Sequence, residues 1–465
     1  MVTYEEYVIQ KLYSDGMGGS DTEIIKDLIN SDLGSEERQT KLDGIVYYRS
    51  KNDKIMDRKM EYTNEHNQKV EELNRSNNKV PSGFLKILVD QKVDYLVGKK
   101  PTITGDIDQF TEIVPDYHEM LQELSRESSK KTVEALYVYV DEKGQFKYTD
   151  FAGEDLIFIY DTSHEKTLLG CIRYYSIQVI VGTDKVYRNK VEWYDTEKVT
   201  FYMEQDDETY ILDTDVLINP QYHWTTINTL EPDKERAVSF GMVPIIPLWN
   251  NSSRMSDLEP IKAQIDTYDV VVSDFANNIE DIQDALVVIS GYEGTDADHV
   301  LSNLKDRKLV LVGENGGLDY KKIDIPTEAR EKILDRLHTD IFTFGQGFDP
   351  NQVGGGSITN VVIKSRYTLL DLKSNRLETQ LTMVFNKLME FVNIYLVEIA
   401  KKKEIECGIE FNRSMVMNES EKVEQASKSV GVISNETIWE NHPFVTDVEQ
   451  EKERMKSQDN FGDGE

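Results

Sequence analysis

Cysteine is almost missing from this chain, with only Cys171 and Cys407 among 465 residues. Two thiols cannot build a disulfide framework, so both read as small buried hydrophobes in a chain made in a reducing cytoplasm. Long apolar runs are missing too: none approaches the roughly 18 residues that a membrane helix needs. The opening MVTYEEYVIQKLYSD has neither the basic lead nor the apolar core of a signal peptide. Cations are scarce beside anions, 53 Lys and Arg against 85 Asp and Glu, for a formal charge of −32. A protein that grips nucleic acid over a broad surface needs clustered cations to displace counterions, so the balance argues against that class.

Motifs of chemistry are absent as well. No GxxxxGK[ST], HExxH, CxxC or GxSxG occurs, and the glycines of 345–356 miss GxGxxG because the third place falls on Pro350. His66, His118, His164, His223, His299, His338 and His442 are scattered and read as surface or structural residues. Asp206-Asp207 and the pair Asp296 and Asp298 read as solvated turn carboxylates rather than metal ligands. The chain therefore reads as no enzyme, with no cofactor and no metal. A metal-dependent nuclease built from scattered carboxylates stays as a remote alternative that cutting of DNA would reveal.

What is present is architecture, in a length that suggests about three domains. Ser20 and Glu23 make a capping box ahead of Ile24, Ile25, Leu28 and Ile29, which form one helical stripe. A second helical stretch is expected over Lys41 to Met60. Val80–Gly98 reads as a buried helix, stopped by Gly98 and Pro101. From Val133 to Ile246 the period shortens to that of strands. Ala135–Val140, Phe146–Phe151, Leu156–Tyr160, Cys171–Val181, Lys190–Tyr194, Val199–Glu204 and Thr209–Asp213 predict an antiparallel meander. Val243–Trp249 carries two prolines and reads as an edge strand or connector.

Residues 257–285 predict a helix with one apolar face and an otherwise acidic surface of Asp266, Asp269, Asp274, Glu280, Asp281 and Asp284. A small insert follows, with strands expected at Ala285–Ser290, Lys308–Gly313 and Leu318–Ile325. Lys305, Arg307, Lys308, Lys321 and Lys322 are its local basic group. Thr327 caps a further helix to about Phe344. The glycine-rich stretch Gly345–Thr359 is long for an ordered loop and so reads as functional. Val361–Lys403 then predicts a helix of about 65 Å. Ile409–Gln458 predicts a short strand and two charged helices around Gly431–Ser434, before a disordered end at Asp459–Glu465. The fold class is α+β. Apolar stripes this long need long neighbours, which copies in a symmetric ring would supply. A coiled-coil arm in a monomer or dimer is the other arrangement the pattern allows.

In this order, the sequence resembles the portal (head-to-tail connector) proteins of tailed bacteriophages, of the type found in long-tailed phages of Gram-positive bacteria. Tyr47-Tyr48 with Ile55 and Arg58 is similar to the family's first stretch. Its most recognisable signature is matched by Asn77-Asn78-Lys79-Val80, then Ile87, Val89-Asp90, Tyr95-Leu96 and Gly98-Lys99-Lys100-Pro101. Gly153-Glu154-Asp155, Ile159-Tyr160-Asp161 and Ile172-Arg173-Tyr174-Tyr175 resemble its β region, and Val243-Pro244, Pro247 and Asn250-Asn251 the approach to its first stem helix. The segment from Asn418-Glu419 through Gly431-Val432-Ile433-Ser434-Asn435-Glu436-Thr437 to Pro443-Phe444-Val445, Asp447, Glu449 and Glu451 is similar to its crown. At the start of the long helix the family reads G…SG-A, where this chain has Gly356-Ser357-Ile358-Thr359-Asn360.

The resemblance implies a portal-type fold: wing over 1–255, first stem helix 256–285, clip 286–326, second stem helix 327–344, tunnel loop 345–360, long wing helix 361–403, crown and tail 404–465. It implies a dodecameric ring at the capsid vertex, made in the bacterial cytoplasm and carried in the virion. Through the ring double-stranded DNA is packaged and ejected, independent of its sequence. Implied partners are other copies of the chain, the large terminase, the major capsid and scaffold proteins and a head-tail adaptor, with no membrane. The expected DNA-facing loop residues are Gln346, Gly347, Asn351, Gln352, Gly354, Gly355, Gly356 and Ser357. Several of the acidic residues of 257–285 are expected to face the channel, where like charge lets DNA slide, the other reading being that they solvate the exterior of the stem. The basic group of the insert reads as meeting DNA at the exit, as pairing with acidic groups on a neighbour or the motor, or as ordinary solvated surface. A protein-binding capsid or tail scaffold without a DNA channel is the alternative reading.

Overall fold

The computed structural model describes Val8 and residues 22–64, 66–71, 75–205, 209–227, 235–282, 286–290, 317–321, 327–352, 360–414, 419–440, 442–445 and 448–462. In chain order come α1 (Thr22–Leu33), α2 (Glu36–Tyr48), α3 (Asp53–Met56), the hairpin β1 (Glu61–Thr63) and β2 (Lys69–Glu71), α4 (Phe84–Val97), β3 (Thr102–Gly105), α5 (Ile107–Ile113) and α6 (Tyr117–Lys131). The strand region holds β4 (Val133–Val140), β5 (Phe146–Phe151), β6 (Leu156–Tyr160), β7 (Leu168–Val181), β8 (Asp184–Tyr194), β9 (Lys198–Glu204), β10 (Tyr210–Leu212), β11 (Gln221–Tyr222), β12 (Trp224–Ile227), β13 (Glu235–Val238) and β14 (Ile245–Trp249). Then follow α7 (Lys262–Ile282), β15 (Leu286–Ser290), β16 (Gly317–Lys321), α8 (Thr327–Phe344), α9 (Asn360–Glu398), β17 (Cys407–Glu410), α10 (Glu419–Lys428), α11 (Asn435–Glu440) and α12 (Val448–Gly462).

The chain divides into two compact units, a larger one from 1–45, 85–259 and 342–465 and a smaller one from 46–84 and 260–341. In the larger unit only β6 to β10 of the expected meander form one antiparallel sheet, in the order β10-β9-β8-β7-β6 with β11 also on β9, while β4 and β5 leave it to pair with β14. Its apolar side is sealed by α1, whose Ile24, Ile25 and Ile29 join Ile159, Ile172, Trp193 and Tyr210 in one core. Gly170 is needed there, because a Cβ would stand 2.0 Å from the Trp193 ring. A second sheet, β14-β4-β5, places β14 at an edge, where Pro247 leaves no ladder bond unmade. The long helix α9 packs along β14. Leu370, Leu377, Leu381, Val384, Phe385, Leu388, Phe391, Val392 and Leu396 are its buried stripe. The smaller unit contains the β1–β2 and β15–β16 hairpins, α3, α7 and most of α8.

Several expected boundaries move, each for a local reason. The helix expected over Lys41–Met60 is α2, which starts at Glu36 and stops at Tyr48. Ser50 turns into the left-handed region at φ 53, and Asn52 is drawn into a buried hydrogen bond with Asp269. β7 and β8 run to a tight turn at Gly182 (φ +67), so the hairpin is longer than alternation suggested. α7 begins at Lys262 rather than Asp257, which is buried among lysines instead. α9 ends at Glu398, five residues early, and Lys401 turns to φ 52. The crown segment has a third helix, α12, that takes in Asp459–Gly462. Cys171 is buried as expected, but Cys407 is only half-buried. The strand expected at 308–313 lies outside the described residues.

Candidate functional sites on α7 and after α8

α7 carries polar residues at 266, 269, 273, 277 and 280, spacings of three and four that put them on one face. That face is occupied. The amide of Ser82 donates to Asp269 Oδ1 at 3.0 Å, that of Val80 to Ser273 Oγ at 3.1 Å, and that of Asn78 to Asn277 Oδ1 at 2.6 Å. Two extended residues advance about 6.6 Å and four helical residues about 6.0 Å, so alternate amides of an extended segment match every fourth helix residue. The helix thus presents side-chain acceptors where a sheet edge would present carbonyls. Pro81 falls between donors, where its missing N–H leaves nothing unpaired.

Further bonds tie the same segment down. Asn52 Nδ2 donates to Asp269 Oδ2 at 2.7 Å and Asn78 Nδ2 to Glu280 Oε2 at 2.6 Å. Tyr47 donates its hydroxyl hydrogen to Asp266, which also meets Lys262 at 3.4 Å, while Arg58 pairs with Asp274. Asp269 is 0% exposed and cannot line a channel, which corrects the expectation for that residue. Burial raises its pKa, and the bonds from Ser82 and Asn52 oppose that rise. Asp266 is half-buried against Tyr47, Asp274 keeps 43% of its side chain exposed, and Glu280 is exposed. The side chain of Asp281, and the whole of Asp284, lie outside the described residues.

After α8 the chain is pinned over residues 345–348. Gln91 bonds the Phe348 backbone twice, accepting from its N–H at 3.1 Å and donating to its carbonyl at 2.8 Å. The Phe348 ring stacks on Tyr367 at 4.6 Å, and Tyr367 on Tyr95 at 5.6 Å. Gln346 takes φ 54, and the Gly347 amide returns to the Phe342 carbonyl at 2.9 Å, ending the helix. A Cβ on Gly347 would lie 2.1 Å from Leu88 Cδ2, so this glycine serves close packing rather than loop freedom. That corrects its assignment as a projecting residue. Asn351 is exposed, its amide bonded to Asp349. The side chain of Gln352, and all of Gly354, Gly355, Gly356 and Ser357, lie outside the described residues.

A buried charge cluster escaped sequence reasoning. Lys92 and Lys373 reach Asp257 Oδ2 at 2.9 and 3.0 Å. Asn250 bridges them, accepting from Lys92 at 2.6 Å and donating to Asp257 Oδ1 at 2.9 Å. Lys373 also donates to the Gly345 carbonyl at 2.9 Å. One side chain of α9 thereby fixes both the residues before Pro260 and those after α8. Burial lowers the Lys92 pKa to about 8, against the raising effect of Asp257. Burial works to raise the Asp257 pKa, but the ammonium groups of Lys373 and Lys92 outweigh it and hold the carboxyl below its usual range. The available signal was Lys92 itself, a cation at helical spacing within the apolar stripe of Leu85, Leu88, Val89 and Leu96. In the insert, Lys321 ends β16, whereas Lys305, Arg307, Lys308 and Lys322 lie outside the described residues. Among the described residues, no group of His, Cys, Asp and Glu is arranged to hold a metal ion.

Residues 35–463 match the family described as "Phage portal protein, SPP1 Gp6-like". The portal protein of Bacillus phage SPP1 is 31% identical over 453 residues, spanning 95% of this chain and 87% of that protein. The portal protein of Clostridium phage phiCD119 is 30% identical over 453 residues, spanning 92% of this chain and 94% of that protein. A chain from the virion of a native gene transfer agent particle aligns with a TM-score of 0.38 at 12% identity over 76% of this chain and 86% of its own, too slight a likeness to argue from.

Proposed function

This chain belongs to the phage portal protein family, SPP1 Gp6-like, and from that premise we propose that twelve copies form a ring at the capsid vertex through which double-stranded DNA is packaged and ejected. It is a portal protein and a virion component, structural in role as its family is. The observation that carries the reading is the breadth of the match, residues 35–463, with both curated relatives aligned over more than nine-tenths of this chain.

The residues support particular roles within that reading. α7 and α8 are the stem helices, 286–326 the clip, α9 the long wing helix and 404–465 the crown. The clip docks the large terminase during packaging and the head-tail adaptor afterwards. Capsid and scaffold proteins surround the ring. Glu280, the outer part of Asp274, Asp281 and Asp284 present negative charge to the channel, while Asp266 and Asp269 hold the 47–82 segment. An acidic wall suits DNA that must pass, since there is no exchange of counterions for protein cations. The loop that meets DNA is narrowed to the residues after Phe348, with Asn351, Gln352, Gly354, Gly355, Gly356 and Ser357 as its polar, nearly uncharged members. The clip lysines and Arg307 meet DNA at the exit or an acidic partner.

Native mass spectrometry of the purified chain, with negative-stain images, tests the assembly. The expected result is a ring of about twelve copies with a central hole. A compact dimer with no ring under any condition would sink the reading.

A further inference from the structure

The pairing of β7 with β6 stops at Arg173, and that of β8 with β9 at Lys190. Beyond those points the two strands continue together through six more rungs, from Ser176 opposite Asn189 to Val181 opposite Asp184. This ribbon extends nearly 20 Å past the sheet. A lone two-stranded ribbon is marginal in water, and this one is apolar where it should be wet. Ile180 and Tyr187 share one face and are 74% and 70% exposed. Its charge also runs against that of the chain. From Ser176 to Lys190 the ribbon carries Lys185, Arg188 and Lys190 with Asp184 as its one acid, in a protein of net charge −32; Lys190 is paired with Asp213 at 2.7 Å, which leaves the cationic character to the end that bears Lys185.

The same unit carries a cleft of the opposite character. It measures about 730 Å³ and lies between the segment after β13 and the C-terminal end of α9. Phe240, Met242, Ile394 and Val397 form its apolar floor, and Glu390 and Glu404 stand on its rim, Glu390 also meeting Lys387 at 2.6 Å. Val397 is 40% exposed, and both glutamates are exposed. An apolar floor with an anionic rim complements an apolar ribbon face that carries Lys185 opposite Ile180. We propose that the β7–β8 ribbon of one copy seats in this cleft of the adjacent copy. Ile180 and Tyr187 enter the floor, and Lys185 faces Glu390 and Glu404. Two different patches of one chain make a heterologous contact, the kind that closes a ring when its rotation permits. The inference rests on the ring reading above and names the surface that joins neighbours.

The test uses the full-length chain with Cys407→Ser, leaving Cys171 buried, and adds Tyr187→Cys and Ile394→Cys together or singly. On mild oxidation the pair should give a ladder of covalent multimers in denaturing gels, and neither single variant should. Ile180→Asp should lose the ring peak in native mass spectrometry while keeping the wild-type far-ultraviolet circular dichroism. Lys185→Glu should weaken assembly, and adding Glu390→Lys and Glu404→Lys should restore it, a rescue that misfolding cannot mimic. Rings without a ladder, unaffected by Ile180→Asp, would overturn the contact and leave the ring standing. If the wild type forms no ring under any condition, the ring reading fails separately, and the cysteine pair still decides: covalent dimers uphold ribbon and cleft, and their absence overturns them.

Discussion

α7 and α9 are both long helices, and they are held by opposite means. α9 buries Leu377, Leu381, Phe385, Leu388 and Phe391 against the larger unit, with Phe385 beside Phe110 at 5.4 Å and Phe391 beside Phe240 at 5.0 Å. α7 uses Asp269, Ser273 and Asn277 to accept the backbone amides of an extended segment. Burial of a large apolar side chain contributes about 1.5–3 kcal/mol but tolerates small shifts. A hydrogen bond contributes about 1 kcal/mol net, yet an unmet donor costs more than the bond gains. α9 therefore supplies strength, and the α7 seam fixes register. A one-residue slip of 78–82 would turn Pro81 toward an acceptor that needs an N–H.

The largest expected effect lies where α9 is tied by charge. Asp257→Ala would leave Lys92 and Lys373 buried without a counter-ion and should cost about 3–5 kcal/mol in urea unfolding. A cost below about 1 kcal/mol would show that water already solvates the two lysines. The same cluster predicts a pH dependence. The folded pKa of Lys92, about 8, lies below its ordinary 10.5, so the unfolded chain holds more protons between those values. Stability from this group should rise as pH goes from about 8 toward 10.5, and Lys92→Met should remove that slope. Next comes the apolar seam. Leu381→Ala, at a position 0% exposed, should cost about 2–5 kcal/mol through lost contact and cavity.

The polar seam should respond less in stability and more in local order. Asp269→Ala strands the Ser82 amide and Asn52 Nδ2, at a cost of about 1–3 kcal/mol. Hydrogen exchange should quicken at Ser82, and at Val80 and Asn78 beside it, before any global loss is seen. Exchange at wild-type rates in this variant would show that the segment is held by something other than the ladder.

The apolar half of this comparison was legible in the sequence. Leucines at helical spacing marked the α9 stripe, alternation marked β4 to β10, and apolar density marked α4 as buried. The α7 seam was not legible in the same way. Acidic residues on a helix look alike whether they face water, DNA or a backbone segment nearly two hundred residues away. Period reading finds which residues share a face and says nothing of who meets that face. A signal existed in the pair of patterns: polar residues every three or four positions over 266–280, and Pro81 set between donors spaced by two. Gly347 misled for a related reason. It sits in a glycine-rich stretch, but its use is to let Leu88 approach.

The smallest expected effect separates fold from function most cleanly. Asp274 pairs with Arg58, yet keeps 43% of its side chain exposed, so water already screens much of the attraction. Asp274→Asn retains an oxygen that can accept from Arg58 and should change stability by at most about 1 kcal/mol. The buried neighbour Asp269 cannot be changed so quietly, because two donors depend on it. If the outer carboxylates of α7 face DNA, Asp274→Asn combined with Glu280→Gln should leave unfolding nearly as it was and still alter the yield or length of packaged genome. The fold-bearing Asp269→Ala should lower both together. Unchanged packaging in the double variant would mean that the exposed acids of α7 only solvate the helix, and would move the DNA-facing surface to the residues after Phe348.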